Sequence, residues 1–398
     1  MFKSLSSVTY QVADLEQAGQ WYRAVLGQEP ALNSPFLVTF LIGNAALNLI
    51  AADKPSPVSD ERVVAYWSVD DIDTAYRRLL ELGAVPRAEI STRLNVRLAK
   101  IIDPFGNVIG LTDKLSEAKQ ITVEDQPSES AMTVAFCRAL AAKDEREAIR
   151  GGDDLAELFL PEDRRRLLKD CTSREWIIKN LVTPELYGYF LARTAYIDDI
   201  FTQALRENIP QIVLLGAGYD SRAYRFQTLI NETRIFELDI RPTQQRKLTL
   251  LAQAHISIPE QVTLAPINFK TEAIEAALSK AGFDRQQRTL FIWEGVTYYL
   301  PAETVNETLS FVTSNAPDGS ILCFDYMTQP VPSTYTAEPF QFWLEPEKIE
   351  PFLAERGYLI TDYLTPEDME CKYLTLRDGS SAGKVLPFFC LVQAVVRG

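Results

Sequence analysis

The chain has 398 residues, 46% of them hydrophobic, which predicts two domains, each able to bury a core. The formal net charge of −14 argues against nucleic acid and anionic membrane surfaces as partners, because both require clustered cations. No N-terminal segment resembles a signal peptide, and no apolar run approaches the roughly 20 residues of a membrane helix. We therefore expect a cytoplasmic protein.

Histidine and cysteine usage limits the chemistry further. His255 is the one histidine, so a multi-histidine metal site is excluded, and its polar surroundings predict a surface residue. The five cysteines never form a C-x-x-C pair. We expect reduced thiols that take no part in disulfides or metal sites.

An internal repeat occupies the first part of the chain. Residues 8–27 (VTYQVADLEQAGQWYRAVLG) recur in weaker form as residues 64–83 (VAYWSVDDIDTAYRRLLELG). In each copy an alternating strand ends at an aspartate that can cap the next helix. With the segments that follow, the pattern predicts a strand, a helix and three strands, twice over.

This repeat resembles the vicinal oxygen chelate superfamily, the glyoxalase and bleomycin-resistance fold, over residues 1–114. The D-P-F-G-N turn at residues 103–107 is its most recognisable hairpin. The resemblance implies an α+β domain of two βαβββ repeats. Small-ligand binding or docking against another subunit, as in a homodimer, are the two roles we expect for it.

The family's metal-ligand positions are changed in this chain. The matching residues are Ser7, Asn48, Val64 and Gly110, and valine and glycine offer no ligand atom. We expect no metal here. Aromatic residues nearby either line a cavity or belong to the core, and the core reading is favoured; they are Trp21, Tyr22, Tyr66 and Trp67.

Residues 115–129 are polar and contain Pro127, which predicts an interdomain linker. Beyond it, residues 130–398 begin with apolar and charged residues alternating at helical spacing. From residue 211 onward, short apolar strands alternate with helices. This alternation predicts a doubly wound, mostly parallel sheet, with residues 371–376 and 387–397 as a final antiparallel pair.

A glycine turn follows the first of these strands, in the stretch QIVLLGAGYDSRAYR at residues 211–225. The turn contains Gly216, Ala217 and Gly218, and glycine lets a backbone approach a ligand that a Cβ would exclude. The next strand ends in FELD, where Glu237 and Asp239 can accept hydrogen bonds from ribose hydroxyls.

Ser221 stands where a dinucleotide fingerprint has its third glycine. A ligand with a ribose and no pyrophosphate is therefore favoured, and S-adenosyl-L-methionine fits that description. An NAD-dependent oxidoreductase is an alternative that this serine disfavours.

Further motifs occur in one order: RTAYIDD at residues 193–199, the glycine turn, FELD, and WEGVTYYLP at residues 293–301. From about residue 128 onward the chain resembles the leucine carboxyl methyltransferase family. The resemblance implies an α/β, Rossmann-like class I methyltransferase fold with a helical cap over the cofactor.

Ligands of open α/β sheets sit beyond the carboxyl ends of the strands, which groups Gly216, Asp239, Asn268 and Glu294 around one crevice. Asp239 is favoured over Glu237 for the ribose because of the resemblance. Glu294 would accept from the ammonium group of the cofactor.

The resemblance also implies that Arg193 pairs with the carboxylate of the cofactor, as a planar bidentate donor can. Asn268 and Phe269 stand where the family has an acidic and an apolar residue around the adenine. Asp220 either touches the cofactor region or caps the next helix.

Tyr298 and Tyr299 either orient the acceptor as catalytic residues or pack in a lid. A carboxylate acceptor is ionised at neutral pH and needs no general base, which suits a chain with one histidine. We therefore expect O-methylation of a carboxyl or hydroxyl group of a small metabolite. The alternative is a small-molecule-binding or resistance protein with a non-catalytic methyltransferase scaffold.

Overall fold

The computed structural model describes residues 7–33, 37–42, 45–51, 64–93, 96–114, 127–269, 271–331 and 340–397. The chain divides into two compact units, residues 1–122 and 123–398. The division falls inside the predicted linker, of which residues 115–126 lie outside the described residues. None of the helices in the described ranges is both long and apolar enough to cross a membrane.

The first unit contains two copies of one pattern, as the repeat predicts. The first copy is β1 (Ser7–Val12), α1 (Leu15–Leu26), β2 (Leu32–Asn33), β3 (Leu37–Ile42) and β4 (Ala45–Ala51). The second is β5 (Ala65–Ser68), α2 (Ile72–Glu81), β6 (Val85–Arg93), β7 (Val96–Ile102) and β8 (Val108–Lys114). Their sheets have the equivalent strand orders β1-β4-β3-β2 and β5-β8-β7-β6.

Aspartates cap both helices of this unit. Asp14 Oδ1 accepts from the N–H of Gln17 at 2.9 Å, and Asp71 Oδ1 accepts from the N–H of Thr74 at 2.8 Å. These bonds satisfy N–H groups that the first turn of a helix leaves without intrahelical partners. The predicted caps are confirmed.

Most of the aromatic residues singled out in this unit belong to its core. Tyr22 is buried, and Trp21 and Trp67 pack against the same cluster of apolar side chains. Tyr66 differs, since 42% of it is exposed. The core interpretation is thus confirmed for three of the four residues.

Two of the positions that correspond to family metal ligands, Asn48 and Gly110, make other contacts. Asn48 Oδ1 accepts from the hydroxyl of Thr39 at 2.9 Å. A Cβ on Gly110 would lie 2.5 Å from Cδ1 of Tyr66, so the aromatic ring covers this glycine. Within the described ranges, no cluster of three or more His, Cys, Asp or Glu residues could hold a metal ion.

The second unit is a seven-stranded sheet between helices. Its helices are α3 (Glu129–Ala142), α4 (Glu162–Leu167), α5 (Cys171–Ile177), α6 (Pro184–Arg206), α7 (Arg222–Arg225), α8 (Arg241–Gln253), α9 (Ile274–Ala281), α10 (Ala302–Asn315), α11 (Ile349–Ala354) and α12 (Pro366–Tyr373). Its strands are β9 (Gln211–Leu215), β10 (Arg234–Asp239), β11 (Val262–Pro266), β12 (Thr289–Trp293), β13 (Ile321–Met327), β14 (Tyr358–Leu364) and β15 (Phe389–Val396).

The strand order is β11-β10-β9-β12-β13-β15-β14, and β15 runs antiparallel to both of its neighbours. The predicted doubly wound sheet is confirmed. One strand was wrongly predicted: residues 371–376 end α12 and enter a turn, and β14 lies earlier in the chain. The capping box of Thr365 and Asp368 starts α12 ahead of this segment, and the helix continues into it and overrides its apolar alternation.

Strand β9 is buried on both faces. Ile212 and Leu214 pack into the core cluster on one side of the sheet, and Val213 and Leu215 pack into the cluster on the other. For this reason the sequence of a central parallel strand that is covered by helices on both sides is a continuous apolar run. The loops at the carboxyl ends of β9, β10, β11 and β12 then share one edge of the sheet.

Candidate active site

The turn after β9 depends on its two glycines. Gly216 and Gly218 have φ angles of 78° and 51°, in the left-handed region that favours glycine. The N–H groups of Gly216 and Ala217 both donate to the carbonyl oxygen of Leu238, at 3.0 and 2.8 Å. A Cβ on Gly216 would lie 2.7 Å from Cγ2 of Val296. The turn is therefore packed closely against both β10 and the loop after β12.

Asp239 ends β10 beside this turn. Its Oδ2 accepts from the N–H of Gly218 at 2.6 Å, and its Oδ1 accepts from the N–H of Ile240 at 2.7 Å. Each carboxylate oxygen can accept a second hydrogen bond. Only 8% of the residue is exposed, and burial raises its pKa to about 6 despite these two bonds. Asp239 thus retains acceptor capacity for a ligand.

Glu237, two residues earlier on β10, is engaged elsewhere. Its Oε2 accepts from Nζ of Lys247 on α8 at 2.6 Å, and both side chains are almost completely buried. Burial raises the pKa of Glu237, and the lysine charge opposes that effect. This ion pair holds the strand to the helix, and contact of Asp239 with a ribose stays a prediction.

Arg193 reaches the site from the middle of α6 and is 1% exposed. Its Nη1 donates to Asp325 Oδ2 at 2.9 Å and to the hydroxyl of Tyr298 at 3.3 Å. Its Nε lies 3.0 Å from Glu294 Oε1. The structure therefore joins the predicted Arg193 and Glu294, which are 101 positions apart in the chain.

Glu294 lies between two guanidinium groups. Arg222, which is fully buried, donates through Nη1 to Glu294 Oε2 at 2.7 Å, opposite the contact with Arg193. Burial alone would raise the pKa of Glu294, but Arg222 and Arg193 outweigh burial and lower it. The carboxylate is ionised at neutral pH.

Asp220 binds Arg222, the first residue of α7, which agrees with one of its two predicted roles, that of capping this helix. Its Oδ1 accepts from the N–H of Arg222 at 2.7 Å, and its Oδ2 accepts from Nη1 of the same residue at 2.5 Å. Burial opposes ionisation, but the Arg222 charge lowers the pKa of Asp220 to about 2. A direct contact with a cofactor stays a prediction.

The loop after β11 borders a small cavity of about 190 Å³. Asn268 lines it together with residues that follow β10, and the N–H of Asn268 donates to Glu272 Oε2 at 2.9 Å. The other lining residues are Ile240, Arg241, Pro242, Pro266, Ile267 and Glu272. Phe269 instead packs against the core cluster beside the sheet. Asn268 thus lines the cavity, whereas Phe269 packs toward the core, and contact of either residue with an adenine stays a prediction.

The two tyrosines after β12 differ in environment. Tyr298 is 5% exposed, with its hydroxyl bonded to Arg193, and burial raises its pKa well above 10. Tyr299 is partly buried, and both rings contact Phe340 with centroids 5.5 and 5.4 Å away. A protonated, enclosed Tyr298 cannot act as a general base at neutral pH.

The start of α3 covers the glycine turn. A Cβ on Gly218 would lie 3.0 Å from Cβ of Ala131, and the N–H of Ser128 donates to the hydroxyl of Thr243 on α8 at 3.0 Å. These contacts place the first turn of α3 over the loop after β9. A helical cap over this edge of the sheet was expected from the sequence.

Several residues of this network were missed in the sequence. Asp325 binds Arg193, and Asp198 on α6 binds both Arg222 and Arg225. Tyr189 donates to Asp325 Oδ2 at 2.5 Å. Asp325 had a usable signal, because it is the one charged residue in the strand ILCFDYM. A carboxylate inside an apolar strand indicates a buried, paired group.

Two family models match the chain. Residues 131–313 match leucine carboxyl methyltransferase, and residues 4–111 match the glyoxalase/bleomycin resistance protein/dioxygenase superfamily. Both resemblances drawn from the sequence are confirmed.

The chain is also similar to individual proteins. A provisionally named S-adenosyl-L-methionine-dependent methyltransferase of Bacillus subtilis is 29% identical over 252 residues, covering 59% of this chain and 81% of the relative. Another, from Frankia alni, is 37% identical over 152 residues, covering 38% of this chain and 50% of the relative. Among solved structures, a glyoxalase/bleomycin resistance protein/dioxygenase family enzyme from Burkholderia phytofirmans is 18% identical, with a TM-score of 0.26, covering 28% of this chain and 100% of its own.

Proposed function

We propose that this protein transfers the methyl group of S-adenosyl-L-methionine to a carboxyl or hydroxyl oxygen of a small metabolite, because residues 131–313 match leucine carboxyl methyltransferase. The proposal depends chiefly on one observation, the 3.0 Å contact between Arg193 Nε and Glu294 Oε1. A guanidinium beside a carboxylate is complementary to the amino-acid end of this cofactor, which bears one carboxylate and one ammonium group.

The other residues at this edge of the sheet fit the same cofactor. Asp239 has acceptor capacity for the ribose hydroxyls, and the cavity beside Asn268 is suited to the adenine. Arg222 Nη2 is a buried nitrogen without a hydrogen-bond partner within the described ranges, which suits an anionic ligand group. A Cβ at Gly216 would displace Val296 and the loop that carries Glu294.

The acid–base groups of the site favour one kind of acceptor. The sulfonium of the cofactor supplies a methyl group that is already electrophilic, so the protein mainly has to align the acceptor and exclude water. Glu294 is held between two arginines, Tyr298 is protonated, and His255 is exposed after α8. These groups are poor general bases, which favours an acceptor that is itself ionised, such as a carboxylate.

The N-terminal unit would then hold the metabolite or form a homodimer. Deleting residues 1–122 separates these roles when the number of chains per particle and the kinetics are both measured: a raised KM with the number of chains unchanged indicates acceptor binding, and a change from two chains to one with normal kinetics indicates dimerisation. If the number of chains and the kinetics both stay unchanged, neither role applies.

Calorimetric titration with S-adenosyl-L-methionine tests the cofactor. The wild type should bind, and Arg193→Lys should bind more weakly, because a single ammonium cannot hold Asp325 and Glu294 and present a further donor to the ligand in the fixed planar geometry of a guanidinium. Arg206→Lys, at the exposed end of the same helix, is the matched control and should bind as the wild type does. Absence of binding to the wild type would instead favour a non-catalytic scaffold.

The acceptor is then identified by mass spectrometry. Carboxylic acids and phenols are incubated with enzyme and cofactor, and products heavier by one CH₂ unit are sought. Methylation of phenols or alcohols alone would contradict the preference for an ionised acceptor.

A further inference from the structure

Asp325 is a fully buried carboxylate in the middle of β13. Its Oδ2 accepts from the hydroxyl of Tyr189 and from Nη1 of Arg193, at 2.5 and 2.9 Å. Its Oδ1 accepts from the N–H of Gly295 at 2.7 Å. A carboxylate without solvent contact is costly unless such donors surround it, and here three donors do.

These donors come from two different segments. Tyr189 and Arg193 are one turn apart on α6, while Gly295 belongs to the loop after β12. Gly295 has a φ of 71°, and a Cβ there would lie 3.2 Å from Nη1 of Arg193. Asp325 therefore fixes the arginine and the residue after Glu294 in one arrangement, in which the two segments are in close contact.

The nitrogens of Arg193 are divided among its partners. Asp325 binds Nη1, and Glu294 lies against Nε. Nη2 is the guanidinium nitrogen that these two contacts leave for another group. The direction in which Nη2 points is set by the anchoring of Nη1.

We propose that Asp325 is a positioning residue, which orients Arg193 and the Glu294 loop to receive the amino-acid end of S-adenosyl-L-methionine. The inference rests on the proposed cofactor. It assigns to Asp325 no contact with the ligand itself. Its effect should therefore be confined to the part of the ligand that Arg193 and Glu294 hold.

Comparison of two ligands tests this assignment. S-adenosyl-L-methionine has the amino-acid end, and 5′-methylthioadenosine has the adenosine without it. In Asp325→Asn the affinity for the first should fall roughly 10- to 100-fold, the scale of one or two charge-assisted hydrogen bonds, with the second unchanged. Tyr326→Phe removes a hydroxyl from the neighbouring residue, which packs on the other face of the sheet, and should alter neither affinity.

Equal weakening of both ligands in Asp325→Asn would mean a general structural role and would overturn the proposal, as would unchanged binding of both. If that variant does not fold, Tyr189→Phe replaces it, since the ring can still stack on Phe389 at 4.2 Å while one bond to Asp325 is lost. It should show a smaller loss with the same selectivity, and no selective loss would overturn the proposal. Failure of the wild type to bind S-adenosyl-L-methionine would refute the proposed function instead.

Discussion

Arg222 Nη1 donates to Glu294 Oε2 at 2.7 Å, and this bond joins the helix after β9 to the loop after β12. The same guanidinium binds Asp198 on α6 through Nε, also at 2.7 Å. Three segments that are distant in sequence thus meet at one buried side chain. The site is held together by ion pairs beneath it as well as by the sheet.

Arg222→Met should therefore lower the free energy of unfolding by about 3–5 kcal/mol, because it leaves buried carboxylates without their partner. Urea unfolding measures the loss. The control is Arg285→Met, which breaks an ion pair with Glu275 in which both side chains are about half exposed, and should cost much less. Equal losses of free energy in the two variants would show that the buried ion pairs of Arg222 contribute no more to stability than the exposed pair of Arg285 does.

Asp239→Ala should weaken binding of S-adenosyl-L-methionine by about 1.5–3 kcal/mol, the scale of hydrogen bonds to a charged group. Calorimetry measures it. Asp318→Ala removes an exposed carboxylate before β13, at the opposite edge of the sheet, and should bind normally. Unchanged affinity in a folded Asp239→Ala variant would remove this residue from the site.

Binding of the same ligand should depend on pH through Asp239. The ionised carboxylate accepts hydrogen bonds from the ribose, and protonation removes acceptor capacity. Since burial raises the pKa of Asp239 to about 6, affinity should be full above this pH and fall as the pH drops through it. Glu294 has a lowered pKa and stays ionised there. The affinity of an Asp239→Asn variant for the ligand should change less with pH than that of the wild type. If the two proteins have the same pH profile, the titration belongs to another group.

Gly216→Ala should reduce both stability and cofactor affinity, because φ is 78° and the new Cβ would lie 2.7 Å from Val296. Gly379→Ala has a similar φ of 83° with nothing within 4 Å, so it isolates the backbone strain alone. Adding Val296→Ala to Gly216→Ala should restore part of the affinity. Thermal melting and calorimetry check these outcomes, and a lack of any restoration would argue against the close approach as the cause.

The N-terminal unit should bind no stoichiometric zinc, nickel or manganese, since Val64 and Gly110 offer no ligand atom and Asn48 is bonded to Thr39. Elemental analysis of the full-length protein checks this. Chelators should leave methyl transfer unaffected. One tightly bound ion per chain would contradict the prediction.

Local patterns in the sequence were enough for much of the fold. The aspartate caps of α1 and α2 and the apolar strand β9 depend on residues close together in the chain, and the sequence shows them directly. Residues 371–376 were wrongly predicted as a strand because apolar alternation in a short segment does not distinguish a strand from the end of a helix.

The site was only partly predictable, for a physical reason. Strand-end residues such as Asp239 and Glu294 can be grouped because parallel strands share an edge. Which carboxylate pairs with which arginine depends on how α6 lies across the sheet, and that direction is set by packing between distant segments. Asp325 and Asp198 were missed on this account, although Asp198 lies within the RTAYIDD motif.

Within the part of the chain that the structure describes, strand β15 is the one strand that pairs with β14, and it also pairs with the side of β13 that faces away from β12. During synthesis β13, which carries Asp325, emerges more than 60 residues before β15. Until then its edge has unpaired backbone groups, which invite pairing with other chains. Loss of residues 389–396 would expose that edge permanently, so a shortened chain should aggregate even though the glycine turn, Asp239 and Glu294 are all present.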